Sequence, residues 1–451
     1  MRFISGGRSI WRPCLAALAA AMLGHSTAAR AADDVKLMEL GNAWAKNSIN
    51  VTVFRNDPVT TAGERQYAAY YNADGKVVVA ERKIGEENWT AKVTDLTGNL
   101  KDAHNSISIV ADGEGYLHIS WDHHGHPLRY ARSKGPAGSD GALDFEKGPM
   151  TGQTEKNVTY PQFFRLPDGN LIFMYRDGAS GRGNLVLNRY DAKAKKWEQM
   201  FANLISGENK RNAYWQACVD GKGVVHVSWV WRESGDVASN HDLCYARSAD
   251  GGKTWTKSDG TAYKLPITAA TAEIAAPIPQ KHELINQTSM CTDGEGRPVI
   301  ATYFRPEGEK VVQYHVVRFD GAKWVTSKVT DRKTPFSLSG AGSKAIPISR
   351  PQVFARTANG KTGIWIVFRD SERDSRVSMA GCDDVENPKW ATRDLTDFTV
   401  RFWEPSYDRV RWERDGVLDL YVQMAGQGDG EKLEEIEPQM AQVLEWTPPS
   451  K

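Results

Sequence analysis

The 451-residue sequence predicts an all-β fold, a seven-bladed β-propeller, on three observations. Seven Asp-Gly or Asn-Gly pairs recur along it, at Asp74-Gly75, Asp112-Gly113, Asp168-Gly169, Asp220-Gly221, Asp293-Gly294, Asn359-Gly360 and Asp415-Gly416. Each precedes a short strand-like run, as in Gly-Tyr-Leu-His-Ile-Ser-Trp at 115–121, where small or polar residues alternate with bulky ones. All but one of the units close on a tryptophan: Trp89, Trp197, Trp255, Trp324, Trp390 or Trp446, with Phe145 standing in the second. An Asp-Gly pair supplies the positive backbone dihedrals of a tight hairpin, so each unit reads as a small antiparallel sheet. No convincing amphipathic helix separates the units, and radial packing around an axis leaves such sheets only short protected edges.

The first element in the chain is not part of this pattern. Arg2, Arg8 and Arg12 precede an apolar run from Cys14 to Gly24, and Ala29-Arg30-Ala31 supplies a small-x-small cleavage site. Residues 1–31 therefore read as a secretory signal peptide, and export to the periplasm or the exterior is expected. No later segment approaches the roughly twenty apolar residues of a membrane span. Removing 1–31 takes away four arginines and no acid, which moves the formal net charge from +1 to −3. That balance, without a basic face, argues against nucleic-acid binding.

Residues 32–451 are expected to form one domain, because a propeller is a closed ring of small cores; a monomer is the default for such a ring. The longer interruptions, 256–290 and 328–351, should be rim loops, where ligand groups converge. Cys218, Cys244, Cys291 and Cys382 match neither a disulfide framework nor a CxxC metal pair, and buried free thiols are expected, although export permits a bridge. Trp229 and Trp231 read as a core residue and a sugar platform if a bulge separates their faces.

Chemistry concentrates between 102 and 182. Five of the ten histidines, His104, His118, His123, His124 and His126, fall within 23 residues. Histidine titrates near neutrality, so a strand-end cluster can exchange protons or ligate a metal. His118, inside a strand, reads as structural. His124 and His126 are a plausible ligand pair, yet among nearby residues only Asp122 adds a carboxylate; no metal is assigned and no cofactor is expected, while a structural ion stays compatible. Tyr160 before Pro161 and Arg176 before a turn read as strand-end groups facing a shared mouth. Further on, Arg232, His241 and Arg350 border apolar strands, where arginine forks can hold carboxylates.

The strings DAHNSISI (102–109), DGEGYLHISWDHHGHPLRYARS (112–133), VTYPQFFRLPDGNLIFMYRDGASGRGN (158–184), NAYW (212–215), VWRES (230–234), NHDLCYARSADGGKTW (240–255) and ISRP (348–351) resemble the BNR-repeat propellers that include polysaccharide lyases. The resemblance is nearest to rhamnose-glucuronate lyases and more distant to ulvan lyases. It implies a seven-bladed propeller and β-elimination at a uronic acid, with a uronic-acid-containing polysaccharide or oligosaccharide as partner. It implies Arg176 on the carboxylate, His124 as base, Tyr160 as acid or acid–base partner, and His104 with Asn105 as a positioning pair. His123, Arg232, His241 and Arg350 are implied substrate contacts. The division of labour between His124 and Tyr160 stays open at this level.

Two alternatives remain in the sequence. Ser248-Ala249-Asp250-Gly251-Gly252-Lys253-Thr254-Trp255 is an Asp-box, a turn shared with sialidases, and Arg232, Arg350, Arg376, Tyr407 and Glu404 could serve a sialidase-like exo-glycosidase. The histidine cluster would then have no role. A noncatalytic carbohydrate-binding propeller would need aromatics and a pocket but no base beside an acid.

Overall fold

A computed structural model describes residues 34–52, 57–286 and 288–448 of the protein. The predicted leader, 1–31, lies outside the described residues. The chain is built from antiparallel strands arranged as meanders. Four sheets are simple four-stranded meanders, over 59–97, 107–147, 289–328 and 352–394. A nine-stranded sheet consists of two more meanders, 158–206 and 212–276, joined by the parallel pair Gly183–Asn212, with the short strand His124–His126 added at its edge. The last sheet brings the ends together: Val35–Ala43 pairs with Gln439–Trp446, which pairs with Leu418–Val422.

The first strands of successive meanders lie side by side. Val59–Ala62 approaches Ile107–Ala111, then come Val158–Arg165, Asn212–Val219, Ser289–Thr292 and Gln352–Ala358 in chain order, and Leu418–Val422 approaches Val59–Ala62. The cores therefore lie between neighbouring sheets. Phe164, Ile172 and Leu187 of one meander, for example, bury against Trp215, Trp229 and Trp255 of the next. The result is an all-β, propeller-like architecture.

Local chemistry explains the turns. The Asp112 carboxylate accepts the amides of Glu114 and Tyr116 at 2.9 Å, and Asp220 and Asp293 repeat the pattern two and four residues on. This Asx-type bonding closes the hairpin that a following glycine permits. Adjacent turns also touch: Gly113 N donates to Gly169 O at 2.8 Å, and a Cβ on Gly113 would lie 2.6 Å from the Gly169 Cα.

Several sequence expectations need correction. Asp415-Gly416 is no hairpin; it ends a helix, Arg409–Asp415, where Gly416 takes φ +67° and donates to Trp412 O. An Asp-Gly pair marks a left-handed backbone position, which a helix C-cap needs as much as a hairpin does. Asp74-Gly75 precedes a strand as expected, but it joins the second and third strands of its meander, whereas Asp112-Gly113 and Asp168-Gly169 join the first and second; Gly63 makes the earlier turn. Trp255 closes the Asp-box itself, donating its indole N–H to Gly252 O at 3.1 Å, and the outer strand of that meander is Glu273–Ala276. The 256–290 stretch is thus not a single rim loop. Trp231 is buried edge-to-face on Trp229, ring centroids 6.0 Å apart, so it is core and offers no sugar platform, even though a bulge does follow Val230. Cys218, Cys244, Cys291 and Cys382 are buried and free.

Candidate active site

The strand ends opposite these turns carry the histidines. Tyr160 stands in a bulge of Val158–Arg165, between Thr159 and Gln162, with φ +58°. Pro161 cannot donate to the ladder, so the strand is free to bulge there and turn the tyrosine ring inward. Arg176, on the partner strand Leu171–Ala179, owes its position to Gly183. A Cβ at 183 would lie 2.9 Å from both Cγ and Cδ of Arg176, which gives the glycine-rich Ser180–Asn184 stretch a packing reason. His124 is carried across to the next meander by a turn at Asp122 (φ +66°), and Gly125 N donates to the Thr159 hydroxyl at 2.8 Å.

The two histidines share one carboxylate. Asp102 accepts from His104 Nδ1 at 2.7 Å through one oxygen and from His124 Nδ1 at 2.6 Å through the other. Their rings stack with centroids 4.0 Å apart. The Arg176 guanidinium carbon lies 4.9 Å from the Tyr160 ring centroid, and Tyr160 stands 6.0 Å from both His104 and Tyr214. Tyr214 bonds the Ser180 hydroxyl at 2.9 Å and lies under Arg232. These groups line one cavity of about 300 Å³, closed on its far side by Arg350, Glu404 and the loop bearing Ser343 and Lys344.

Charge separates the two imidazoles. Burial acts to lower the His104 value, but Asp102 and Glu431 overcome it and raise it to about 9, so His104 is an imidazolium at neutral pH. Burial lowers the His124 value, and the His104 charge adds to that against the pull of Asp102, so His124 is neutral. Burial alone would raise Asp102; the histidines hold it down as a carboxylate. A carboxylate only accepts, so His124 donates Nδ1–H to it and leaves the Nε2 lone pair available. Burial raises the Tyr160 phenol, keeping it protonated, whereas Arg176 and Arg232 outweigh burial at Tyr214 and lower it. Among the described residues the buried Arg176 Nε has no hydrogen-bond partner, and Arg176 is part of the cavity lining.

The structure thus brings together His104, His124, Tyr160, Arg176, Arg232 and Arg350. Three expected residues stand apart from the cavity wall. His123 is fully buried, accepts Arg129 N at 2.7 Å, and is held neutral by burial; it is structural. Asn105 is fully buried and donates to Asn99 O, supporting the loop beside His104. His241 bonds Glu233 at 2.9 Å and Asp242 at 3.0 Å. Arg350 is already engaged by Glu404, at 2.8 Å from Nε and 2.5 Å from Nη2, and Arg232 donates to the Ser234 and Gly235 carbonyls. The sialidase set does not assemble: Tyr407 lines a separate cavity with Cys218 and Cys291, at the other end of the strands, and Arg376 pairs with Asp374 and Asp394.

Two participants went unassigned in the sequence. Asp102 precedes His104 by two residues, a spacing that signals a carboxylate orienting an imidazole, but its reach to His124 is tertiary. Tyr214 sits in the NAYW string with only its aromatic type to mark it. Asp102, His104 and His124 have the composition of a metal set. Each Nδ1 is bonded to a separate Asp102 oxygen, an arrangement that two ring protons satisfy. His126 takes no part; its Nδ1 accepts the His124 amide at 3.2 Å.

Comparison with known proteins places the chain among carbohydrate-active propellers of the BNR-repeat kind. Curated relatives are ulvan lyases: a long isoform from Alteromonas sp. is 41% identical over 64 residues, 13% of this chain and 6% of the relative. One from Glaciecola sp. (strain KUL10) is 27% identical over 145 residues, 24% of this chain and 14% of the relative. The matched segments therefore span a small part of those longer proteins. Among solved structures, the polysaccharide lyase Uly1 aligns with a TM-score of 0.66 at 15% identity, over 91% of this chain and 99% of its own. An ulvan lyase of family PL25 aligns at 0.60 and 15% identity, over 90% and 95%, and is also known bound to -[GlcA(1-4)Rha3S]-. These likenesses establish a shared fold. The model of the BNR repeat-containing family matches residues 65–332, more than half the chain, and the protein belongs to that family.

Proposed function

We propose that this chain is an exported polysaccharide lyase that cleaves the C4–oxygen bond of a uronic acid by β-elimination. The observation that carries this reading is the cavity lined together by neutral His124, imidazolium His104, the protonated Tyr160 phenol and Arg176. Elimination needs a base at C5, cationic donors for the carboxylate as the C5 electrons delocalise into it, and an acid at the departing oxygen. His124 Nε2 takes the C5 proton, and Asp102 steadies the imidazolium that forms. Arg176 and His104 hold the uronate carboxylate while it bears enolate charge. The electron pair then forms the C4–C5 double bond as the C4–oxygen bond breaks, and the Tyr160 hydroxyl gives its proton to the leaving oxygen. The opposite assignment would require ionising a buried phenol, which is the costlier step.

The substrate is read as a rhamnose-glucuronate type polymer; the ulvan lyase relatives, together with the complex of a structurally similar ulvan lyase with -[GlcA(1-4)Rha3S]-, support a uronate flanked by rhamnose. Counting each meander and the terminal sheet as a blade supports a seven-bladed ring. With it go a single domain over 32–451 behind the leader, a monomer in the periplasm or outside the cell, and turnover without a cofactor. Ultraviolet absorbance during incubation with gum arabic, ulvan and glycosaminoglycans tests the reading. A rising signal from a conjugated unsaturated uronate is expected. New reducing ends without absorbance would make the protein a hydrolase, and binding without either signal would make it a carbohydrate-binding propeller.

A further inference from the structure

The C-terminal segment reaches the histidine pair through one side chain. Glu431, held at φ +64° directly after Gly430 at φ +67°, turns its carboxylate into the wall behind the cavity. One oxygen accepts the Ser343 amide at 2.9 Å and lies 3.4 Å from His104 Nδ1; the other accepts the Ala103 amide at 3.0 Å. Neighbouring bonds tie the same two stretches together: Gly430 N donates to Ser343 O at 2.9 Å and Ala345 N to Asp429 at 2.8 Å. A left-handed non-glycine residue costs conformational energy, and such strain persists where surrounding contacts over-determine it. At 431 those contacts are the amide before His104 and the loop carrying Lys344 into the cavity.

We propose that Glu431 is a positioning residue of the active site, which locks the 337–346 loop against the His104 segment and, as a second carboxylate beside Asp102, keeps His104 cationic. This rests on the lyase reading for its kinetic consequence but not for its physical one. The groups facing His104 are Asp102 and Glu431 as anions, His124 stacked on it, and Tyr160 and Tyr214 across the cavity, with Arg176 beyond. Two carboxylates against one imidazole account for a second ring proton that stays on His104 while its stacked partner keeps only its Nδ1–H. Glu431 itself is held down to about 2, because His104 outweighs the burial that would raise it. A neutral side chain at 431 would release the His104 proton more readily and loosen the loop.

The test is Glu431→Gln, which keeps the shape and removes the charge. Imidazole NMR titration of the full mature protein, with no substrate present, should show the His104 midpoint falling by roughly one to three pH units, the usual effect of an adjacent opposite charge. If the elimination reading also holds, the alkaline limb of the rate moves acidward by the same amount, with kcat lowered more than KM is raised; Glu431→Asp should restore part of it. An unmoved His104 midpoint in Glu431→Gln overturns the proposal whatever the substrate. A moved midpoint with no uronate cleavage by the parent would sink the lyase reading alone. Should the variant not fold, amide exchange in the unsubstituted protein decides: Ser343 and Ala103 should exchange more slowly than Ala341 and Gly342, and equal rates would overturn the clamp.

Discussion

At the scale of single residues, the separation of His104 from His124 governs the chemistry. Both bond the same carboxylate at nearly the same distance, yet among the described residues only His104 has a second anion within reach, and the burial of His124 does the rest. A pH dependence follows. Turnover needs His124 unprotonated and His104 protonated, so the rate should fall on the acid side below His124's ordinary 6.5 and on the alkaline side near 9. A rate still climbing through pH 9 would contradict the cationic role. His124→Ala should cost about 10²–10⁴-fold in kcat with the circular dichroism unchanged, since that is the usual contribution of a general base. Arg176→Lys should cost about 10²-fold, because an ammonium cannot reproduce the guanidinium fork; near-parental rates would remove Arg176 from the carboxylate. The catalytic candidates were legible because their chemistry is local in type: clustered histidines, a tyrosine before proline, an arginine before a glycine-rich turn. His123 and His241 were not separable from them, because whether a histidine faces a cavity or the core depends on a turn such as Asp122, whose effect is tertiary.

At the scale of elements, the Asp-Gly turn is the unit of construction, and its side chain, more than its glycine, explains the repetition. The carboxylates of Asp112, Asp220 and Asp293 each cap two amides of their own turn. Where two turns meet, glycine is required for space as well. Gly113→Ala would drive a methyl into the Gly169 backbone, and an overpacked contact of this kind should destabilise by about 1–3 kcal/mol. Denaturant unfolding checks this, and an unchanged midpoint would show that the turns can part freely. The dipeptide signal located tight left-handed positions well and their context less well. It made no distinction between the hairpins and the C-cap at Gly416. Trp231 was misread for a related reason: a bulge does follow Val230, but both indoles remain in the core between two meanders.

At the scale of the molecule, Val35–Ala43 pairs with Gln439–Trp446, so the first and last described strands share one sheet. Glu404 and Glu431 reach the site from the part of the chain that precedes the last of these strands. Deleting 34–43 should therefore lower the thermal midpoint more than any single substitution above and remove activity with it; a truncated protein of parental stability would show that the terminal pairing is dispensable. The radial arrangement was legible because it repeats, whereas the joining of loops from 102–105, 337–346 and 429–431 behind one cavity was not, since no local pattern records which rim loops meet. The measurement that bears most directly on the central claim is the mass of the products released from a uronate oligosaccharide by the parent protein and by His124→Ala. Elimination predicts a unsaturated fragment lighter by one water than its hydrolytic counterpart, formed by the parent and lost in the variant. Fragments carrying the added water, or equal release by both proteins, would contradict it.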